Sequence, residues 1–454
     1  MASARIVRGG VRRTLSAAIA LSARARSPAL VGGLLGVGVR DLGAGHREGA
    51  PRLLILPKGG FIEDVGAAFG GGDFSLLGLA RNHTKALYGS FLPRWVDDNS
   101  YKSAPASMDA RKASLRAFWT KAWPGVQARA KASAVLTGNF AYASEQGFGA
   151  VVEASGVPFI AMHKESLKPP GSVEFWTRLY RDRRQPFPGR RIVVYNTIER
   201  DVQIATGIAP SENITVCGMP RLDNLHAWRE RSTHDSDPRA RPMVLMFSFH
   251  PKTGLPLIPR KPGGPQGRME TLEHHEEKMT WTALHRGFHQ AAVRLARENP
   301  GLDVVVKGKA DLPKWLKETT GGLLDLEDCP NLRVLLGGDA QGLITRASVV
   351  CGFNTTALLE AIAAGKPVVV PRFAEALEDA TKPFFLDLGD AVNHAASAND
   401  LYDRLLAGAV PLAPPSADLS DHARDMLDHW AGNADGKAGD RVRAAVMAEI
   451  GGCS

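Results

Sequence analysis

Four groups of side chains in this 454-residue sequence combine types and spacings that suit chemistry. His163, Lys164 and Glu165 follow the apolar run Pro158 to Met162 and offer an imidazole and a carboxylate as proton acceptors beside an ammonium group. Lys307 and Lys309 follow a second apolar run, Leu302 to Val306, and suit a phosphate. Arg221 and Asp223 lie in GMPRLDNL, where Gly218 and Pro220 set a turn and the guanidinium presents a planar fork for phosphate or carboxylate. Gly352, Asn354, Thr355, Thr356 and Glu360 make the fourth group, within VVCGFNTTALLEAIAAGKPVVVPR. Phosphate at that turn and a ribose hydroxyl on Glu360, about 6 Å along one helix face, would match the spacing. The predicted ligand of this group is a nucleotide. His163 is the expected base, oriented by Glu165 or Glu145, with His250, Arg221 and Asp223 as further cleft residues. His274, His275, Glu276 and Glu277 are consecutive and cannot face one site on a helix, so no metal ligand set and no cofactor is predicted.

These residues fall where strands end and helices begin. Val349–Arg372 reads as strand, turn, helix, glycine stop and strand: Asn354 is placed to cap, Ala357, Leu358, Ala361 and Ile362 are periodic, and Gly365 precedes Val368-Val369-Val370. A parallel sheet places ligands beyond the carboxyl ends of its strands. Before this unit, strands are predicted at LLILP from Leu53, Ala134–Leu136, Pro158–Met162, Arg191–Tyr195 and Ile214–Cys217, with helical stretches around Ser75–Tyr88, Tyr142–Val152 and Ile198–Thr206. After it come helices Leu419–Trp430 and Ala438–Ile450. The expected fold class is α/β, two Rossmann-like parallel-sheet domains facing a cleft: 49–230 for the acceptor, 243–450 for the donor with closing C-terminal helices, and a polar linker at 231–242. The strand Val244–Phe249 opens the second domain, and the loop from His250 to Glu276 is long enough to predict a functional role.

Composition excludes several classes. With 44% hydrophobic and 23% charged residues the chain is globular, and Cys217, Cys329, Cys351 and Cys453 form no C-x-x-C pair, so reduced thiols in a cytoplasm are expected. The net charge is +9, but residues 1–50 carry eight Arg against Asp41 and Glu48 and account for most of it. No nucleic-acid partner is therefore expected. Residues 1–48 predict a basic tail or a helix on an anionic membrane surface, peripheral on its inner face. The apolar run Pro28–Val39 is too short to span a bilayer.

Three patches resemble a known group. VCGMPRLDNL resembles the G-x-P-R-x-D signature of bacterial surface-carbohydrate proteins, including capsule-polysaccharide synthesis proteins and CDP-glycerol glycerophosphotransferases. GFNTTALLEAIAAGKPVVVP resembles their donor-phosphate unit, and NADGKAGDRVRAAV their C-terminal ending. The two-domain order resembles the GT-B architecture. That resemblance implies a metal-independent transferase moving a group from a nucleotide-linked donor to a glycan or lipid-linked acceptor. A nucleotide-sugar epimerase and a non-catalytic binding subunit of a glycan assembly complex are the alternatives. The chain departs from the group in having His163-Lys164 for a His-Gly pair, Lys307-Gly308-Lys309 for Lys-x-His-Pro, and glycine at 352 where an E-x7-E pair would begin.

Overall fold

The computed structural model describes residues 2–43, 47–231, 241–257, 279–309, 318, 320–324, 329–410 and 418–451, with side chains from residue 12 onward. The first sheet contains β1 (Val39–Asp41), β2 (Arg52–Ile55), β3 (Ser75–Leu79), β4 (Ala134–Thr137), β5 (Phe159–Met162), β6 (Arg191–Val194) and β7 (Ile214–Val216). Their order is β1-β3-β2-β4-β5-β6-β7, parallel except for β1 on β3. The second contains β8 (Met243–Phe247), β9 (Asp303–Gly308), β10 (Leu332–Leu336), β11 (Val349–Gly352), β12 (Val368–Pro371) and β13 (Asn393–Ala395), in the all-parallel order β10-β9-β8-β11-β12-β13. The central strands are buried along their whole length, as sheets covered on both faces require, so they read as continuous apolar runs. The expected pair of parallel-sheet domains is what the structure shows.

The first domain carries α1 (Ala2–Arg24), α2 (Pro28–Gly38), α3 (Phe61–Phe69), α4 (Arg81–Tyr88), α5 (Asp109–Ala130), α6 (Ala143–Ala154), α7 (Pro170–Arg183), α8 (Thr197–Ala205) and α9 (Leu222–Arg231). The second carries α10 (Thr282–Glu298), α11 (Ala340–Arg346), α12 (Ala357–Ala363) and α13 (Ala398–Gly408), followed by α14 (Asp421–Ala431) and α15 (Ala438–Gly451). Both sheets reverse their winding once, between β2 and β4 and between β8 and β11. Such switch points open a crevice at the carboxyl ends of the strands.

Several expectations are corrected. Ser75–Leu79 is a strand, because SLLGL is buried on both faces and helix begins only at Arg81. The expected tail at 1–48 is packed into the domain over its described residues 12–43: α2 lies on α5 so closely that an added Cβ on Gly125 would meet the Gly32 backbone at 2.7 Å, and Ile19, Ala23, Val31 and Leu35 are wholly buried. The segment ends in β1, part of the first sheet. Most of the 231–242 linker and the loop residues 258–278, including His274, His275, Glu276 and Glu277, lie outside the described residues.

The chain also returns to its first domain at the end. Val442 and Val446 of α15 are buried in one core with Leu53, Ile55 and Phe61. Two of the three motifs singled out above build this return. Asp223 accepts from the backbone N–H of Gly439 (2.7 Å) and Ala438 (3.2 Å) and from Asn433 Nδ2 (2.7 Å), while Arg441 Nε donates to Cys217 O (2.9 Å). Gly218, at φ +85°, faces Gly432, at φ +57°, and an added Cβ on Gly218 would lie 2.9 Å from the Gly432 carbonyl carbon. Gly218→Ala therefore combines left-handed backbone strain with a clash. It should cost about 1–3 kcal/mol, read as a lower urea midpoint; an unchanged midpoint would show that the clasp yields without cost.

Candidate active site

Between the domains lies a cavity of about 400 Å³. The first domain contributes Lys164, Glu165 and Leu167 from the loop after β5, and Ser172, Trp176 and Tyr180 from α7. The second contributes Gly254 and Leu255 from the turn after β8, Lys309 just past β9, the Asn354-Thr355-Thr356 turn between β11 and α12, and Phe384 and Leu386. The cavity thus sits at the β8/β11 switch point. Of the predicted site residues, Glu165, Lys309, Asn354, Thr355 and Thr356 are brought together here.

Backbone geometry fixes the β11–α12 turn. Asn354 adopts φ +47°, a conformation asparagine tolerates better than most side chains. It does not cap α12. Its Nδ2 donates to Phe384 O (2.9 Å) and its Oδ1 accepts from the Leu386 backbone N–H (2.8 Å), so it ties the cavity's apolar wall to the turn. Thr355 Oγ1 accepts from the Ala357 backbone N–H at 3.3 Å. Gly352 does not line the cavity. An added Cβ there would lie 3.1 Å from Thr355 Cγ2 and 3.3 Å from Phe247 Cβ, so this glycine lets β8 and the turn close up.

Positive charge gathers opposite this turn. Burial and the neighbouring Lys58, Lys309 and Arg221 lower the Lys164 pKa below the ordinary lysine value, although Glu165 opposes them. Ammonium groups from the loops after β2 and β9 therefore both act on Lys164 in the loop after β5. Packing ammonium groups within electrostatic reach costs free energy unless an anion offsets it. Glu165 is half exposed and 3.8 Å from Lys164 Nζ, and its Oε2 accepts from Asn139 Nδ2 at 3.0 Å. Burial raises its pKa, but His163, Lys164, Lys58 and Lys168 together outweigh that and leave it below the usual value. It is a carboxylate at neutral pH.

His163 stands at the end of β5 as expected, yet it does not open to the cleft. Its side chain is 1% exposed, packed on the Phe140 ring with centroids 4.9 Å apart, and its Nε2 lies 3.1 Å from Glu199 Oε1 without good alignment. A base must reach the proton it takes, so the expectation that His163 meets an acceptor hydroxyl is corrected. Its carboxylate is Glu199, not Glu165 or Glu145. Glu199 also pairs with Lys168 and accepts from Gln203 Nε2 at 2.8 Å. Lys168 in turn donates to Glu165 O at 3.0 Å, and Ser166 Oγ donates to His163 O at 3.0 Å. These contacts hold the loop that presents Lys164 and Glu165.

Arg221, Glu360 and Lys307 form a separate buried group behind the cavity. Arg221 Nη1 meets Asp64 Oδ2 at 3.0 Å and its Nε meets Glu360 Oε1 at 3.2 Å, so one guanidinium joins α3 of the first domain to α12 of the second. Tyr195 Oη donates to Asp64 Oδ2 at 2.6 Å. Glu360, expected on a ribose, is instead committed to this pair. Burial raises its pKa against the pull of Arg221. Lys307 is buried within the field of Glu63, Glu360 and Asp339, and burial lowers its pKa. Asp223 belongs to the clasp, and His250 accepts from the Lys252 backbone N–H at 3.0 Å in the turn after β8. None of these five lines the cavity. Glu145 is buried as well, between Arg81 (2.5 Å) and Thr137 (2.5 Å). Among the described residues, no group of three or more His, Cys, Asp or Glu is placed to hold a metal ion.

Trp176 and Tyr180, on α7, are cavity residues to which the sequence analysis assigns no role. A signal was available: proline suits the first helical position, and Val173, Trp176 and Tyr180 then repeat at helical spacing. Lys58, beside the glycine pair after β2, carried no assigned role.

No family model matches this chain, and no curated protein matches it. Among solved structures it is similar to UDP-GlcNAc 2-epimerase from Neisseria meningitidis bound to UDP-GlcNAc, at 11% identity and TM-score 0.45 over 87% of this chain and 98% of that one. UDP-GlcNAc 2-epimerase from Methanocaldococcus jannaschii matches at 10% identity and TM-score 0.45, over 87% and 99%. A UDP-forming α,α-trehalose-phosphate synthase from Burkholderia xenovorans matches at 14% and 0.44, over 88% and 98%. At these values the cleft itself has to carry the functional reading.

Proposed function

We propose that this chain is an enzyme acting on a nucleotide-activated sugar held in the interdomain cleft. The observation that carries the reading is that Lys164 and Lys309, one from each domain, line the same cavity as the Thr355-Thr356 turn, with Lys58 close enough to act on Lys164. A diphosphate satisfies both walls at once. Trp176 and Tyr180 supply the apolar surface that a sugar or base needs. Glu165 is the one carboxylate among the described lining residues and takes the proton. Lys164 beside it, with its pKa lowered, returns one.

Two reactions use this arrangement. Transfer to a glycan or lipid-linked acceptor needs a second substrate in the cleft, whereas epimerisation of the nucleotide sugar needs none. Every lining residue assigned a role serves the nucleotide sugar itself and none is left for a second substrate, so epimerisation is the reading taken first and transfer the second.

The test is to incubate the purified full chain with UDP-, GDP-, CDP- and CMP-linked sugars in D₂O, following melting temperature and products by NMR. At least one nucleotide sugar should raise the melting temperature by mass action. Deuterium entering the sugar marks epimerisation, and release of nucleotide only with an acceptor marks transfer. Lys164→Ala with Lys309→Ala should weaken binding by about 1.5–3 kcal/mol, and Glu165→Gln should keep binding while losing about 10²–10⁴ in rate. Binding without turnover would make the chain a non-catalytic subunit. No stabilisation by any nucleotide sugar would end the proposal.

A further inference from the structure

The outward face of α2 is unlike the rest of the surface. The helix PALVGGLLGVG contains no charged or polar residue, so it is apolar all round, and only one stripe is covered: Val31, Gly32, Leu35 and Gly36 pack inward on α5. Leu30, Gly33 and Val37, spaced i, i+3 and i+7, share the opposite face, with Leu30 54% and Val37 74% exposed. Leu21 on α1 is 64% exposed and Leu42 beyond β1 is 40% exposed. Four of the twelve exposed large hydrophobic residues described thus fall within 22 positions, Val37 and Leu21 being the two most exposed of all. A helix buried on one side does not ordinarily present this to water.

The charges around the stripe have one sign. Arg12, Arg13, Arg24, Arg26 and Arg40 are all exposed, and Asp41 is the single acid between residues 12 and 43. Arg24 and Arg26 stand at one end of α2 and Arg40 at the other. Long arginine side chains reach past an apolar face toward headgroups while the face enters the acyl boundary. No helix described is long and apolar enough to cross a membrane.

We propose that the α1–α2 hairpin is an in-plane anchor that seats the first domain on an anionic lipid bilayer, with the α2 stripe as the inserted face. Of the two expectations for this segment, a basic tail or a membrane-surface helix, the anchor develops the second and adds that it is part of the domain: α2 is fixed by its glycine contact with α5, so the bilayer would hold the sheet rigidly. It does not depend on the cleft's activity.

Co-sedimentation of the full chain with vesicles of phosphatidylcholine, and with vesicles in which about a third of the lipid is phosphatidylglycerol, tests this. The chain should bind the anionic vesicles and release at high salt. Arg24→Glu with Arg40→Glu should lower partitioning at least about tenfold. Leu30→Asp with Val37→Asp should abolish it, with an unchanged melting temperature because both positions face solvent. If the apolar pair does not fold, the arginine pair decides alone. Equal binding to neutral and anionic vesicles, no binding to either, or wild-type binding by the folded variants would overturn the anchor. So would light scattering that shows a dimer which Val37→Asp converts to a monomer, since the face would then belong to a second copy of the chain.

Discussion

Arg221→Met should lower the unfolding free energy by about 3–5 kcal/mol at neutral pH, the usual result of removing one partner from a buried ion group. Arg221 is the cation in direct contact with both Asp64 and Glu360, and all three side chains are at most 7% exposed. Methionine fills much of the volume, so the loss reports charge rather than a cavity. The pH dependence carries the sign. Burial already holds both carboxyls above their ordinary values, with Arg221 pulling them down; in the variant that pull is gone and both rise further. Between the ordinary carboxylate range near 4 and those raised values, the native state binds more protons than the unfolded state. Stability must therefore fall as pH rises through that interval. The deficit of the variant should be largest at neutral pH and shrink on acidification as the stranded carboxyls take up protons. Urea unfolding from pH 5 to pH 8 measures this. A deficit that is constant with pH, or below about 1 kcal/mol, would mean that water already screens the group.

The same residue shows what a sequence can and cannot disclose. Period and punctuation were enough for the two parallel sheets, since buried strands such as Met243–Phe247 are uninterrupted apolar runs and α12 stops at Gly365. The positions of His163, Lys309 and Thr355 at strand ends and turns were legible for the same reason. Which way each side chain points was not. His163 and Lys164 are consecutive, so alternation along the chain sends one inward to Glu199 and the other to the cleft. Glu199 lies 36 positions away on α8, a distance that no local pattern spans. Arg221 was readable as a fork for an anion, but its anions come from Asp64 and Glu360, one from each domain. The motifs that resemble surface-carbohydrate proteins, around Gly218 and Asn433, prove to be a clasp between the first domain and α15. Patterns repeated across related chains can mark folding requirements as readily as chemistry.

Glu199→Gln is the second large effect expected. The carboxylate meets Lys168 and His163 with side-chain exposures of 0%, 1% and 1%, so glutamine would leave a buried ammonium without a counter-charge. A loss of about 3–5 kcal/mol at neutral pH follows. Burial alone would raise the Glu199 pKa; Lys168 and then His163 more than reverse that and bring it down to about 2. The unfolded chain titrates near the ordinary glutamate value, so between about 4.3 and 2 the unfolded state binds more protons. Wild-type stability contributed by this residue is therefore complete above that interval and is lost as pH falls through it, whereas the variant has none to lose. Its unfolding free energy should be lower at pH 7 and flatter in acid. Replacing both partners, Lys168→Met with Glu199→Leu, should recover part of the loss because no charge is then stranded. His163→Ala should cost less than Glu199→Gln, since the Lys168 pair survives. The order of these variants also separates two accounts of His163. If His163→Ala abolishes turnover while Glu199→Gln, once folded, retains it, the imidazole itself handles the proton. If both reduce turnover in proportion to their disturbance of the 163–168 loop, His163 is a positioning residue for Lys164 and Glu165, which is the outcome the buried geometry predicts.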